Sequence, residues 1–253
     1  MRGLLLAFLV PFLACAAAHA EDATPTYAFG AGVQRMPSWP GASDHRNQAI
    51  PYVDIELPGV GELSTADGLT IDLIHGDRWH GGIYGNWLWG RTHDDLGSLG
   101  GKVASLSPRF VGGGYLEYAI TKRFSVGGHV AHDTDGAGAY VALYADYQLP
   151  DVWYIQHSLE IQIEGMNGPA MRRFFGLNAT EAATLGTRAW QPGAGRQMVD
   201  LEYDAFIPTS QHTGFALAVS YGKLIGNAGD SPLVRGFGST RQVTETLAFV
   251  YHF

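Results

Sequence analysis

Apolar and polar side chains alternate with a period of two along most of the chain, in segments of roughly 8 to 13 residues separated by turns. After the turn at Asp67-Gly68, for example, Leu69, Ile71 and Leu73 alternate with polar residues. Other alternating segments begin near Tyr52, Trp153, Met198, Phe215 and Gln242. Because successive side chains of a strand point to opposite faces, this period predicts β-strands.

The length of the alternating segments separates two kinds of β-protein. Strands of a soluble sandwich average about five or six residues, whereas a strand that crosses an outer membrane needs about 9–11. The segments match the second length, and their polar faces carry Asp, Glu, Gln and Thr, as a hydrated lumen requires. The aromatic residues near their ends fit interfacial girdles: Trp79, Trp87, Trp89, Tyr118, Phe124, Trp153 and Tyr251. The pattern predicts an all-β fold, a single transmembrane antiparallel β-barrel of about twelve strands (range about 10–14).

The connections between these strands are of two lengths. Thr121-Lys122 and Leu149-Pro150-Asp151 read as short periplasmic turns. Longer polar and glycine-rich stretches read as extracellular loops or as segments folded into the lumen: Pro40–Gln48, Arg91–Leu106, Met166–Arg196 and Asn227–Thr240. Glycines within the strands, such as Gly127 and Gly128, allow bends or the close approach of a bulky lumen side chain. Gly112-Gly113-Gly114 has no following Lys-Ser/Thr and is not a phosphate loop.

Composition narrows the class of protein further. The 253 residues include 34 Gly, only 16 % are charged and 12 % are aromatic, which is unusual for a soluble helical enzyme. With 46 % hydrophobic residues, disorder is excluded. A net charge of -8 argues against nucleic acid as a partner, since binding it needs a basic face.

The first 20 residues have the pattern of an export signal. Arg2 precedes the apolar run Leu4–Leu13, which is too short for a membrane-spanning helix, and Ala18-His19-Ala20 supplies the small residues that signal peptidase requires. The sequence therefore predicts a cleaved signal peptide at 1–20 and a barrel domain at 21–253. The alternative is lipidation of Cys15, because Phe12-Leu13-Ala14-Cys15 loosely resembles a lipobox. Cleavage after Ala20 leaves no cysteine in the mature chain.

The chain ends on an aromatic residue in an alternating strand. Phe253 follows Leu247, Phe249 and Tyr251 on the same predicted face. A terminal aromatic residue on the last strand is the signal that outer-membrane barrels present to their assembly machinery, so we expect Phe253 to bind that machinery. Together with the export signal, it predicts location in the outer membrane of a Gram-negative cell.

Several groups of residues carry side chains of the kinds found in catalytic or metal sites. His132, Asp133 and Asp135 resemble a metal or acid–base site, and Ser158 and Ser220 resemble nucleophiles. No motif joins either serine to a histidine. Glu160, Glu164, Asp200, Glu202 and Asp204 form a carboxylate stripe of the kind used in general acid–base catalysis, although lumen strands routinely carry such residues. We therefore predict no catalytic residue, no metal site and no cofactor.

Scattered basic residues offer two further roles. Arg109, Lys122, Arg123, Arg172, Arg173 and Arg196 could pair with the carboxylates inside the barrel and narrow it, or opposite rows could line a polar pore. If its loop is external, Arg172-Arg173 is a candidate for binding lipopolysaccharide phosphates. Outer-membrane lipid and lipopolysaccharide are thus expected partners.

Short motifs spread over the mature chain resemble the MipA/OmpV family of outer-membrane proteins. They are Phe29-Gly30-Ala31-Gly32-Val33, Pro40-Gly41-Ala42-Ser43-Asp44, Ile50-Pro51-Tyr52-Val53-Asp54, Phe174-Phe175-Gly176-Leu177-Asn178 with the following 179–195, Gly229-Asp230-Ser231-Pro232-Leu233-Val234 and Tyr251-His252-Phe253. The chain departs from the family at Trp39-Pro40, because the family has Tyr directly before the glycine.

The resemblance implies a protein that is not an enzyme. It implies a scaffold that joins a lytic transglycosylase and a peptidoglycan (murein) synthase at the inner face of the outer membrane. Contacts with these partners are expected at the short periplasmic turns. The alternative is a porin-like channel for small solutes, lined by Glu160, Glu164, Asp200 and Glu202, and an adhesin is a further possibility.

Overall fold

A computed structural model describes residues 24–253, which form a closed barrel of twelve antiparallel strands. The strands are β1 (Thr26–Pro37), β2 (His45–Leu57), β3 (Gly61–Ser64), β4 (Gly68–His75), β5 (Trp79–Leu88), β6 (Arg109–Thr121), β7 (Phe124–Asp133), β8 (Ala139–Gln148), β9 (Gln156–Met166), β10 (Gly195–Pro208), β11 (Thr213–Leu224) and β12 (Arg241–His252). Each strand pairs with its sequence neighbours, and β1 pairs with β12. The predicted fold class and strand number are confirmed. The predicted signal peptide and Cys15 lie outside the described residues.

The alternation follows the two faces of the wall. On β12, Leu247, Phe249 and Tyr251 are exposed on the outer face, whereas Ala248 and Val250 are buried on the lumen side. Exposed aliphatic residues continue this outer surface around the barrel, among them Val33, Leu116, Val130, Leu143, Ile161 and Leu201. In a membrane these side chains contact lipid.

The two ends of the barrel differ in the length of their connections. At one end, here called the turn end, the strands are joined by short connections such as 122–123 and 209–212. At the other, the loop end, long loops span 89–108, 167–194 and 225–240. The long loops contain a short 3-10 helix (Gly97–Leu99) and four α-helices: α1 (Gly168–Phe175), α2 (Ala179–Leu185), α3 (Gly226–Gly229) and α4 (Pro232–Phe237). Among the described residues, no helix is long and apolar enough to cross a bilayer.

Aromatic side chains mark both ends of the outer face. At the turn end Trp79 lies 4.7 Å from Tyr118 between ring centroids, and Phe253 packs edge-on against Tyr251 at 5.0 Å. At the loop end the centroids of Trp87 and Phe110 are 4.3 Å apart. The predicted girdles are therefore present. Phe253 also donates its backbone N–H to the carbonyl oxygen of Tyr27 at 3.0 Å, which closes the β1–β12 seam.

Two predicted boundaries are wrong. The strand predicted from Trp153 begins at Gln156, because residues 149–155 form a turn in which Val152 bridges Ile155 and Trp153 has φ 60°. The loop predicted to extend to Gln48 ends earlier, and β2 begins at His45 because it pairs with β1 as far as Pro37.

A gap interrupts the wall at its loop-end half. β3 has only four residues and pairs with Asp54–Leu57 of β2. Between this hairpin and the loop end, β2 and β5 therefore have no strand between them. Three strand spacings separate β2 from β5, which makes the gap about 14 Å wide. At the loop-end edge of the gap, Arg46 of β2 forms an ion pair with Asp95 of the 89–108 loop at 2.8 Å.

The backbone beside this gap is adapted to a missing neighbour. The Val53 N–H donates to the hydroxyl oxygen of Thr65 at 2.9 Å, so alternate residues of β2 direct their backbone groups to this edge. Pro51 is one of them, and it has no N–H that would need a partner strand. On the opposite edge the Trp87 N–H donates to the side-chain oxygen of Asn86 at 2.6 Å instead of to a strand.

Candidate functional site

Carboxylates line the lumen. The predicted stripe on β9 and β10 does face the lumen: Glu160 lies directly opposite Glu202 on β10 and opposite Asp146 on β8. The register places further carboxylates on the same inner face of other strands: Asp54, Glu56, Glu62, Asp72 and Glu117. Like charges that are directly opposite on neighbouring strands destabilise a sheet. The row of Asp146, Glu160 and Glu202 is therefore a costly arrangement.

Hydroxyl groups, and not cations, are the polar partners of these carboxylates. The Ser220 hydroxyl donates its proton to the Asp200 carboxylate, whose two oxygens lie at 2.9 and 2.8 Å, and the Tyr144 phenol donates to Glu117 at 3.1 Å. None of the four ion pairs between residues 24–253 involves a member of the Asp146, Glu160 and Glu202 row. The lumen is thus strongly acidic.

The tip of the short β3–β4 hairpin adds one more carboxylate. Asp67 accepts a hydrogen bond from the Ser64 hydroxyl at 3.2 Å. It lies in the turn that joins β3 to β4, beside the gap.

An apolar core, here called the cap, lies at the loop end. Met171, Phe175, Leu177 and Leu233 have no exposed surface, and Val234 has 1 %. They pack with residues of the other loops and of the strand ends: Trp39, Ala42, Leu96, Leu99, Val103, Met166, Ala170, Phe174, Ala182, Leu224 and Ala228. Side chains from four loops thus exclude water from one mouth of the barrel.

Local sequence explains why the cap contains helices. Asn167 caps α1 by accepting the Ala170 N–H at 3.0 Å, and a proline follows in the first turn. Asn178 and Glu181 form a capping box at the start of α2, and Gly186 ends it with a left-handed φ of 66°. Such caps satisfy the free N–H groups of short helices. Ser231 caps α4 and also donates its hydroxyl to the Phe175 carbonyl at 2.7 Å.

Buried and half-buried polar contacts join the loops of the cap to one another and to β2 of the wall. The Arg91 guanidinium is 3 % exposed and donates to the Phe174 carbonyl at 2.9 Å. Burial lowers the pKa of Arg91 to about 10, and Glu181 acts in the opposite direction, so the group stays cationic at neutral pH. Asp95 is partly buried, which opposes ionisation. Hydrogen bonds from Thr92 and Arg46 outweigh this effect and hold its pKa below the usual value.

Three of the motifs that carry the family resemblance meet in the cap. The Gly41 N–H donates to the Gln242 side-chain oxygen at 2.8 Å, and a Cβ at Gly41, which has φ 105°, would lie 2.7 Å from Val234. Ser231 binds Phe175 as described. Trp39, the departure from the family pattern, is 4 % exposed and belongs to the same core. The motifs therefore mark contacts that close the loop end.

The predicted reactive groups do not converge. Asp133 lies on the lumen side, bound to Arg109 at 2.8 Å and to the Tyr140 hydroxyl at 3.0 Å. Its neighbour His132 takes the opposite face of β7, as alternation requires. Ser158 lies opposite Asp204, and no histidine among the described residues hydrogen-bonds to Ser158 or Ser220. No group of three or more metal-binding side chains occurs within residues 24–253.

The predicted basic residues also have separate roles. Of the six, Arg109 is the one that forms an ion pair with a lumen carboxylate within the described part of the chain. Arg172 and Arg173 belong to α1 in the cap. Arg173 donates to the Ser107 carbonyl oxygen and lies 5.0 Å from the Phe174 ring centroid. Apolar side chains thus form the core of the cap, and the ion pairs at this end, Arg46–Asp95, Arg109–Asp133 and Arg235–Asp230, have residues outside that core.

Comparison with known protein families shows one family to which the chain is similar. Residues 29–253 match the family described as "MltA-interacting protein MipA". No curated protein sequence matches the chain.

Solved barrels resemble it only distantly. A bacterial polysaccharide outer membrane secretin has 10 % identity and a TM-score of 0.44, with 90 % of this chain and 97 % of that chain covered. The NanC porin has 10 % identity, a TM-score of 0.39 and coverages of 90 % and 99 %. An anion-selective porin from Comamonas acidovorans has 11 % identity, a TM-score of 0.34 and coverages of 91 % and 99 %. The strand pairing itself defines the fold.

Proposed function

Because the chain belongs to the MipA family, we propose that it is a non-enzymatic outer-membrane barrel that binds the enzymes of peptidoglycan turnover from the periplasmic side. The expected partners are a lytic transglycosylase of the MltA kind and a peptidoglycan synthase. The family description supports the first partner. The synthase rests on the resemblance in sequence.

The cap carries this proposal. A packed apolar core at the loop end opposes free passage of solutes, because Met171, Phe175 and Leu233 have no exposed surface. The turn end keeps short connections, which are periplasmic in outer-membrane barrels. A protein that is closed towards the outside and accessible from the periplasm is suited to binding rather than to transport.

The 149–155 turn is the best candidate for the contact with a partner. Trp153 is 92 % exposed and Tyr154 is 81 % exposed, the two highest values among the large apolar side chains of the described residues. Trp153 also has a φ of 60°, which is costly for a residue other than glycine. Trp and Tyr dominate the binding energy of protein interfaces.

The experiment compares aromatic residues at the two ends. Trp153→Ala with Tyr154→Ala should weaken binding of a purified lytic transglycosylase about 30-fold, or about 2 kcal/mol, measured by titration of the barrel in detergent. The matched control is Trp89→Ala, which removes a tryptophan that is 52 % exposed at the loop end and should leave affinity unchanged. Equal affinity of wild type and both variants, or no binding by wild type, contradicts the proposal.

The second candidate is a channel selective for cations. It is favoured by the row of Asp146, Glu160 and Glu202 and by the absence of ion pairs to that row in the described residues. Such a lumen attracts cations and repels anions. It requires a cap that opens, so current through the wild-type barrel in planar bilayers would support this function over the scaffold.

A further inference from the structure

A row of cations lies on the outer face of four neighbouring strands at the loop end. Arg196 of β10, Lys223 of β11, Arg241 of β12 and Arg35 of β1 are all exposed. Alternation places Lys223, Arg241 and Arg35 on the face that elsewhere carries Val219, Leu247 and Val33. Arg196 reaches the same face because a bulge between Arg196 and Met198 sets it opposite Gly165 of β9. This row is called the outer basic belt. It belongs to the lipid-facing surface and not to the lumen.

The register sets the positions of the belt members relative to the central pair, Lys223 and Arg241. Lys223 lies directly opposite Arg241. Arg196 lies beside Gly226, three residues along from Lys223, and Arg35 lies opposite Glu245, four residues along from Arg241. Arg196 is displaced towards the loop end and Arg35 towards the turn end, each by about 10 Å or less along the barrel axis at about 3.3 Å per residue and a strand tilt of about 40°.

The pair of Lys223 and Arg241 lacks a counter-charge. Like charges that are directly opposite on neighbouring strands repel each other. Within residues 24–253, neither side chain takes part in an ion pair. Glu245, on the same face, is bound to Arg35 at 3.2 Å, and Asp230, which lines a recess beside Lys223, is bound to Arg235. An anion between Lys223 and Arg241 would remove the repulsion.

A polar recess adjoins this pair. It has a volume of about 520 Å³ and lies between the end of β11 and the helices α3 and α4. Lys223, Arg235, Ser239 and Thr240 line it together with backbone at Gly226. Arg235 is bound to Asp230 at 2.5 Å. If Lys223 and Arg241 bind the anionic group of a ligand, the hydroxyl and backbone groups of the recess can hydrogen-bond to the rest of that ligand.

The opposite side of the wall at this end is chemically different. There Trp87, Trp89 and Phe110 form an aromatic cluster on the outer face, with Trp89 52 % and Phe110 60 % exposed. The belt is therefore restricted to β10, β11, β12 and β1. The molecules that surround lipid-facing side chains at the membrane boundary are the lipids with their headgroups, which makes a lipid the ligand that this position favours.

We propose that the outer basic belt binds the phosphate groups of an anionic lipid of the outer leaflet, with Lys223 and Arg241 holding one phosphate between them. Arg and Lys are the residues that bind lipid phosphates. A phosphorylated glycolipid of the lipopolysaccharide type fits, because its sugar groups would reach the recess. This site differs from the Arg172-Arg173 pair that the sequence indicates, and it does not depend on the proposed scaffold function.

Binding of lipid A with two phosphates tests the proposal. The barrel in mixed micelles of neutral detergent should bind this probe, and Lys223→Gln with Arg241→Gln should weaken binding at least tenfold. The matched control is Lys122→Gln with Arg123→Gln, an adjacent Lys-Arg pair at the turn end, which should bind as wild type does. Equal loss in the two double variants would overturn the proposal.

Two further measurements distinguish a lipid site from a structural pair of cations and from a site for free anions. In neutral detergent without lipid A, the variant with Lys223→Gln and Arg241→Gln should be at least as heat-stable as wild type, because the repulsion is gone. A less stable variant would show a structural role instead. Inorganic phosphate at millimolar concentration should not displace lipid A. Complete displacement would identify a site for free anions and overturn the lipid assignment.

Discussion

The loop end of the barrel carries a packed apolar core, whereas the turn end has short connections beneath a lumen where, in the described part of the chain, the row of Asp146, Glu160 and Glu202 forms no ion pair. The same strands form the wall at both ends, so the wall does not cause the difference. It arises because the long connections supply apolar residues such as Met171 and Leu233, while turns such as 122–123 are too short to pack on anything. Connection length thus decides which mouth is closed.

The largest effect is expected at the turn end, where the chain closes the wall. Deletion of Phe253 removes the N–H bond to Tyr27 and the edge contact with Tyr251, and it removes the proposed signal to the barrel-assembly machinery. The amount of folded barrel in outer membranes should fall at least severalfold. Heat-modifiable mobility of the protein on gels measures it.

Phe253→Tyr is the control for this deletion, because it keeps a terminal aromatic ring and should assemble normally. Normal amounts of the truncated barrel would contradict the proposed role of Phe253. The wall, and not the cap, is the part that this change affects.

The next effect is expected in the cap. Phe175→Asp places a carboxylate in a core where Phe175 has no exposed surface, which should cost about 3–5 kcal/mol and unfold the cap locally. The strands should stay paired because their hydrogen bonds are independent of this core. Ion conductance in planar bilayers and protease cleavage within 167–194 should both rise.

Phe237→Asp on α4 is the matched control, because Phe237 is 38 % exposed and the change should leave both readouts near wild type. If Phe175→Asp stays impermeable and protease-resistant, the cap is not what closes the loop end. Conductance by the wild-type barrel would favour the channel function over the scaffold function.

The smallest expected effect is an increase in the stability of the barrel, and it concerns the carboxylates of the lumen. Glu160 lies directly opposite both Asp146 and Glu202, so Glu160→Gln should stabilise the barrel by about 0.2–1 kcal/mol for each repulsion removed. Thermal unfolding in neutral detergent at neutral pH measures the change. Glu164→Gln is the control, because its direct partners are Ala142 and Met198. An equal gain in stability for the two variants would show that the repulsion does not come from carboxylates directly opposite each other on neighbouring strands.

The wall could be predicted from the sequence, but the cap could not. Alternation depends on neighbours in sequence, which is why the lumen stripe at Glu160 and Glu202 and the turn at Asp67-Gly68 are where the pattern places them. The cap depends on contacts between distant residues, such as the bond from Ser231 to Phe175, and no local period reports these. Capping residues such as Asn178 and Glu181 were the available signal for its helices.

The sequence predicts neither the outer basic belt nor the gap, for two different reasons. Which cations become neighbours on the outer face depends on register, and Lys223 lies opposite Arg241 only when β11 pairs with β12. The four residues of β3 are too few to give a period, so nothing in the sequence separates β3 from a loop.

The gap between β2 and β5 has a consequence for the bilayer around the protein. Backbone groups of β2 near Ala49 face this edge, and in hydrocarbon an unsatisfied peptide group costs several kcal/mol. Water or lipid headgroups must therefore reach down to them. We expect the outer leaflet to be thinnest beside β2 and β5, so the protein deforms its membrane on one side and leaves it flat on the other.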